Sequence, residues 1–227
     1  MNRVVYYSNT GESRAVAEYL SAALQYPLAD VESSNGESFE NLVLVFPVYC
    51  QNIPRDVKDF LKRVDVKNLT AVATYGKMCH GNVLYEIQNT YKKSMVAGAY
   101  LPSKHSYIEN DESFRDYEKL TPLVEKIKKP RTVILPRAYK NPLANLFPKM
   151  RSIMVLKIYK NTDCDGCNIC GDACPRGAIE RGVTSHKCIR CVRCVRVCPR
   201  KALKIKLSLP LRLYLRKKKV NKTEIYV

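Results

Sequence analysis

The chain has 227 residues, no tryptophan, ten cysteines, and 39 lysines and arginines against 21 aspartates and glutamates, a formal charge of +18. A hydrophobic share of 46% excludes general disorder, and the longest apolar run, around residues 42–49, falls far short of a membrane span. No secretory h-region follows the first residue, so the expectation is a cytoplasmic protein with reduced cysteines, which favours metal ligation over a disulfide framework.

The first 127 residues read as alternating strands and helices. Residues 3–8 form a β-rich run, and residues 12–24 carry Val16, Leu20 and Leu24 at helical spacing. A short strand is expected at 27–31. Residues 42–48 are apolar almost throughout, as a strand covered on both faces would be. A short helix follows at 57–64, a strand at 69–75, a helix at 83–91, a strand at 95–101 and a helix at 113–128. Alternation of this kind implies an α/β fold, a doubly wound five-stranded parallel sheet with its ligand at the carboxyl ends of the strands.

Charge and composition then change. Residues 1–127 balance at −2, whereas residues 151–227 carry +14 and include eight of the ten cysteines. The stretch between holds six basic residues, no acidic one, and Pro130, Pro136, Pro142 and Pro148. Prolines at that density interrupt a helix and suit a connection. The expected division is a domain over 1–127, a basic linker over 128–156, a second domain over 157–207 and a basic tail over 208–227.

Three loops fall at the carboxyl ends of the predicted strands. Residues 8–13 offer Ser8, Thr10, Gly11, Glu12 and Ser13 at a helix N-terminus, where hydroxyls and free N–H groups suit a phosphate dianion. A plain helix cap fits the same residues. Neither a dinucleotide fingerprint nor a Walker loop is present. The second loop, 47–54, holds Pro47, Val48 and Tyr49. The third, 74–82, holds Thr74, Tyr75 and Gly76. Each places a tyrosine after a buried strand, where it suits either a flat ring or an ordinary half-buried site.

Together these loops resemble the flavodoxin family over roughly residues 1–127. The family's phosphate loop, [ST]-x-T-G-x-[ST], is matched by Ser8, Thr10, Gly11 and Ser13. The resemblance implies FMN, with its phosphate on the first loop and its isoalloxazine between the second and third. Flavodoxins often carry a glycine beside the flavin N5; here Cys50, Gln51 and Asn52 occupy that stretch.

The cysteines follow a stricter rule. Cys164, Cys167, Cys170 and Cys174 precede Pro175, and Cys188, Cys191, Cys194 and Cys198 precede Pro199. Both runs have the spacing C-x₂-C-x₂-C-x₃-C-P, 24 residues apart, which is the bacterial [4Fe–4S] run. In the two-cluster arrangement the fourth cysteine of each run ligates the other cluster. One cluster is then expected on Cys164, Cys167, Cys170 and Cys198, and the other on Cys188, Cys191, Cys194 and Cys174. Structural zinc is the rival. Residues 157–207 resemble a bacterial two-cluster ferredoxin, a small α+β domain, and the whole chain resembles flavodoxin–ferredoxin fusions.

The expected function is electron transfer between FMN, two [4Fe–4S] clusters and an external partner. The alternatives are an FMN-dependent oxidoreductase acting on a small substrate such as a quinone, and a redox-responsive binding module. The basic half implies an acidic redox protein as partner, reached through Arg190, Arg193 and Arg196 or through the run 216–219, with an anionic membrane surface second. No reader helix or aromatic platform points to nucleic acid.

Overall fold

Unbroken runs of aliphatic side chains need cover on both faces of a sheet. The structure, a computed structural model, describes all residues except Asn35, Glu109, Leu146, Phe147 and Lys218, and for residues 148–151 the backbone alone. The chain folds into two units. The first comprises Met1–His105, Asn110–Ala144 and Lys219–Val227, and the second Ser106–Glu109 and Asn145–Lys218.

In the first unit, β1 (Asn2–Tyr6), α1 (Glu12–Leu24), β2 (Leu28–Asp30), β3 (Ser38–Pro47), α2 (Arg55–Arg63), β4 (Asp65–Tyr75), α3 (Val83–Thr90), β5 (Met95–Pro102) and α4 (Thr121–Lys128) follow one another. The five strands pair in parallel in the order β2-β1-β3-β4-β5. The order reverses between β1 and β3, and that switch point is where open α/β sheets bind ligands. Alternate side chains of β3 enter opposite layers. Leu42, Leu44 and Phe46 pack with Val57, Phe60, Leu84 and Ile87. Val43 and Val45 pack with Val16, Leu20, Leu123 and Ile127.

The second unit contains α5 (Pro148–Val155), β6 (Leu156–Lys160), α6 (Ile169–Asp172), β7 (Ile179–Glu180), β8 (Val183–Thr184), α7 (Arg193–Val197), β9 (Leu203–Leu207) and α8 (Leu209–Leu215). β6 pairs antiparallel with β9, and β7 with β8. Its apolar core is small, built on Leu156, Ile158, Ala178, Ile179, Val192 and Leu203.

The sheet of the first unit has six strands rather than five. β10 (Glu224–Tyr226) pairs antiparallel with β5, with Tyr226 opposite Gly98. The expected basic tail over 208–227 is therefore divided between α8 in the second unit and a strand in the first. The expected linker divides as well, because residues 129–144 belong to the first unit. There Val133 N–H donates to the Met95 carbonyl at 2.8 Å, Leu135 N–H donates to Gln88 Oε1 at 2.9 Å, and the Leu135 side chain is buried. Residues 146 and 147 of that linker lie outside the described residues, as does Lys218 of the basic run. The helix expected over 113–128 starts only at Thr121, after a 3₁₀ turn at Tyr117–Leu120. Pro122 has no N–H to give to a preceding turn, so it sits where a helix begins.

Candidate functional site

The loops after β1 and β3 flank the switch point. Gly11 is the N-cap of α1 at φ +92°, a backbone that side chains with a Cβ rarely adopt. No side chain caps this helix; Ser8 Oγ accepts instead from Gly11 N–H at 3.2 Å. The N-terminus of α1 thus keeps its N–H groups and the positive end of its dipole for a ligand. Ser8 and Thr10 are half-buried beside it. Ser13 and Glu12 face elsewhere. Ser13 Oγ meets Thr74 Oγ1 at 2.8 Å in the interior, which ties the loop to the end of β4. Glu12 accepts from Ser103 Oγ at 2.6 Å and from Ser113 Oγ at 3.1 Å.

Asn9, which sequence reasoning passed over, is buried, and its amide donates to Tyr7 Oη at 3.0 Å and Tyr49 Oη at 2.8 Å. It joins the first loop to the second. In the second loop Tyr49 and Asn52 exchange backbone hydrogen bonds of 3.0 and 2.9 Å around a two-residue turn. Cys50 and Gln51 occupy that turn at φ +49° and +65°. Left-handed backbone at non-glycine residues costs about 1–2 kcal/mol each, so other contacts must hold the turn. Asn52 Nδ2 donates to the Cys50 and Ala144 carbonyls, both at 3.0 Å, and Gln51 Oε1 accepts from Asn141 N–H at 2.8 Å. Lys140 bridges Asn52 and Glu86. Residues 138–144 therefore brace this loop as a strap.

The third loop differs from the expectation. Tyr75 lies in the core, and its hydroxyl donates to the Lys222 carbonyl at 2.6 Å, so it anchors the C-terminal segment instead of facing a ring. A Cβ on Gly76 would stand 2.5 Å from the His105 ring and 3.2 Å from its Cα, so only glycine fits. Lys77 is buried against Asp111 at 3.1 Å. Pro47 and Val48 are half-buried, and Val48 N–H donates to the Thr74 carbonyl at 2.8 Å.

In the second unit the eight cysteines gather into two cavities. The first is lined by Cys164, Cys167, Cys170 and Cys198, with Asp165, Arg181 and Arg200 beside them. The second is lined by Cys174, Cys188, Cys191 and Cys194, with Arg176 and Arg193. Each thus takes three cysteines from one run and the fourth from the other. The cavities hold about 330 and 320 Å³ of non-protein space, counting space open to solvent.

The 24-residue repeat is structural as well. Ala178 N–H points to Cys174 Sγ and Ala202 N–H to Cys198 Sγ, both at 3.3 Å. Positive φ recurs at Gly166 and Arg190, at Asn168 and Val192, and at Gly177 and Lys201. Burial pushes the Cys194 thiol up to about 12, with Cys191 and Cys188 adding to it. Arg190 is buried, 8% exposed. Its Nη1 donates to Thr184 Oγ1 at 3.3 Å, and its Nε has no partner among the described residues. Among those residues no group of three or more His, Cys, Asp or Glu side chains stands in a geometry that could hold a metal ion.

No protein-family model matches the chain, and no curated protein matches it. Among solved structures, one similar chain is a Bacteroides uniformis protein described as a flavoprotein, at 18% identity and a TM-score of 0.40, covering 46% of this chain and 91% of that one. Another is a short-chain flavodoxin associated with a bacterial microcompartment, at 21% identity and a TM-score of 0.41, covering 56% of this chain and 96% of that one.

Proposed function

We propose that the chain is an electron-transfer protein that holds FMN in its first unit and two [4Fe–4S] clusters in its second. The observation that carries the reading is the crossed membership of the two four-cysteine cavities, which the bacterial two-cluster run requires. The donor set fits. Each cavity is lined by four cysteines, and a cubane spreads its four thiolates over four irons rather than around one ion. Arg190, next to Cys191 in the chain, is buried with no partner for its Nε among the described residues, and a cluster with its thiolates would supply negative charge for it. None of the ten cysteines is in a disulfide, and a core this small is ordinarily stapled by metal or disulfide.

For FMN, the support is the uncapped N-terminus of α1 at the switch point, with Ser8, Thr10 and Gly11 for the phosphate. Tyr49, which accepts from Asn9, belongs to the loop after β3 on the other side of the switch point. FMN supplies one- or two-electron chemistry when bound, and each cluster one-electron chemistry. Asn9 orients the second loop, and the strap holds the turn at Cys50 and Gln51.

Cofactor content tests this reading. Anaerobic reconstitution is expected to give about eight iron and eight acid-labile sulfide per chain, with about one FMN. Iron near half that value, or zinc without sulfide, would overturn the two-cluster assignment.

A further inference from the structure

We infer that the face of the second unit formed by α5 and α8 seats the protein on an anionic lipid surface.

β6 and β9 pair with Leu156 opposite Leu207, and Ser208 N–H donates to the Val155 carbonyl at 2.9 Å. The end of α5 and the start of α8 are therefore held side by side. Both leave large apolar side chains in water. Met154 is 70% exposed, Leu209 60%, Leu213 54% and Tyr214 40%. Leu209 and Leu213 stand four residues apart, on one side of α8. Clustered apolar side chains of this size mark an interaction surface, whereas isolated ones need no explanation.

The charged residues of these segments are of one sign. Arg212, Arg216 and Lys217 on and after α8, Lys204 and Lys206 on β9, and Lys157 on β6 are exposed. The sequence has no acidic residue between Glu125 and Asp163, nor between Glu180 and Glu224. Exposed apolar side chains on a segment that carries cations and no acidic residue match the boundary between acyl chains and anionic headgroups. Leucine and methionine enter the acyl edge, tyrosine stays at the interface, and arginine and lysine reach the headgroups. A protein partner would have to supply an apolar face of matching shape, which a bilayer need not. α8 has seven residues, about 10 Å of helix, and no helix among the described residues is long and apolar enough to cross a membrane. The element is suited to lie on the surface.

The test is sedimentation of the full-length reconstituted protein with vesicles. Vesicles of phosphatidylcholine with phosphatidylserine are expected to carry the protein down, and vesicles of phosphatidylcholine alone are not. Leu209→Gln with Leu213→Gln should cut the bound fraction by at least about tenfold, since two leucines leave the acyl edge. Arg212→Glu, Arg216→Glu and Lys217→Glu together should abolish binding. All five positions are exposed or edge sites, and unchanged circular dichroism and visible absorption show that the variants fold. Variants that sediment like the parent would overturn the inference. So would retention on immobilised poly-glutamate without vesicle binding, which would assign the face to an acidic protein.

Discussion

A buried guanidinium is costly unless it is paired, and Arg190 is buried between the second run's Cys188 and Cys191 with no partner for its Nε among the described residues. Sequence alone puts Arg190 on a docking surface with Arg193 and Arg196; its burial removes it from that set. Gly11 is decisive on the other unit. Its φ of +92° leaves open space around a Cβ, so Gly11→Val acts through backbone strain of about 1–2 kcal/mol and not through a clash. Thr10→Ala removes a hydroxyl beside the same N–H groups. Both variants are expected to lose FMN by roughly tenfold or more while iron content stays unchanged. Equal FMN retention in parent and variants, read from flavin absorption after gel filtration, would reduce the loop to a plain helix start.

At the scale of elements, the two cysteine runs share one backbone but not one sequence. The left-handed positions are Gly166, Asn168 and Gly177 in the first run and Arg190, Val192 and Lys201 in the second. Lys201 is exposed at φ +51°, and its counterpart Gly177 lies at +52°. Lys201→Gly removes strain of about 1–2 kcal/mol against an unfolded-state entropy cost of roughly 0.5–1 kcal/mol. A net gain of about 0.5–1 kcal/mol is expected, seen as a higher melting temperature. A lower one would mean that the lysine makes a contact worth more than its strain. The crossed cavities predict a second outcome. Cys174→Ser should disturb the cluster of Cys188, Cys191 and Cys194 and leave the other intact, as electron paramagnetic resonance would report. Loss confined to the cluster of Cys164, Cys167 and Cys170 would refute the crossing.

Across the whole molecule the charge is segregated, near neutral over residues 1–127 and +14 over 151–227. In the electron-transfer reading this field steers an acidic redox partner to Arg193, Arg196 and Arg200, so association slows as the Debye length falls from about 10 Å at 0.1 M salt to about 3 Å at 1 M. Arg193→Glu with Arg196→Glu should flatten the salt dependence of reduction measured by stopped flow. An unchanged slope would detach the charge from partner encounter. Truncating residues 209–227 is no substitute, because Val220 and Lys222 bond Lys77 and Tyr75, and β10 extends the sheet.

The sequence by itself determined the alternation of strands and helices, the Gly11 turn and the grouping of the cysteines. These depend on local spacing: residues two apart share a strand face, residues three or four apart share a helix face, and a cysteine run carries its register within itself. Tertiary structure alone decided the rest. The Pro-rich stretch became a strap because Gln51, Asn52, Asn82 and Gln88 bond its backbone or hold its lysine, partners tens of residues away that no periodicity announces. The last residues became a strand because β5 offered a free edge to a segment too short to be read alone. Tyr75 and Arg190 turned inward for the same reason. Each residue's burial depends on what long-range packing brings against it, and a linear sequence states only what lies a turn or two away.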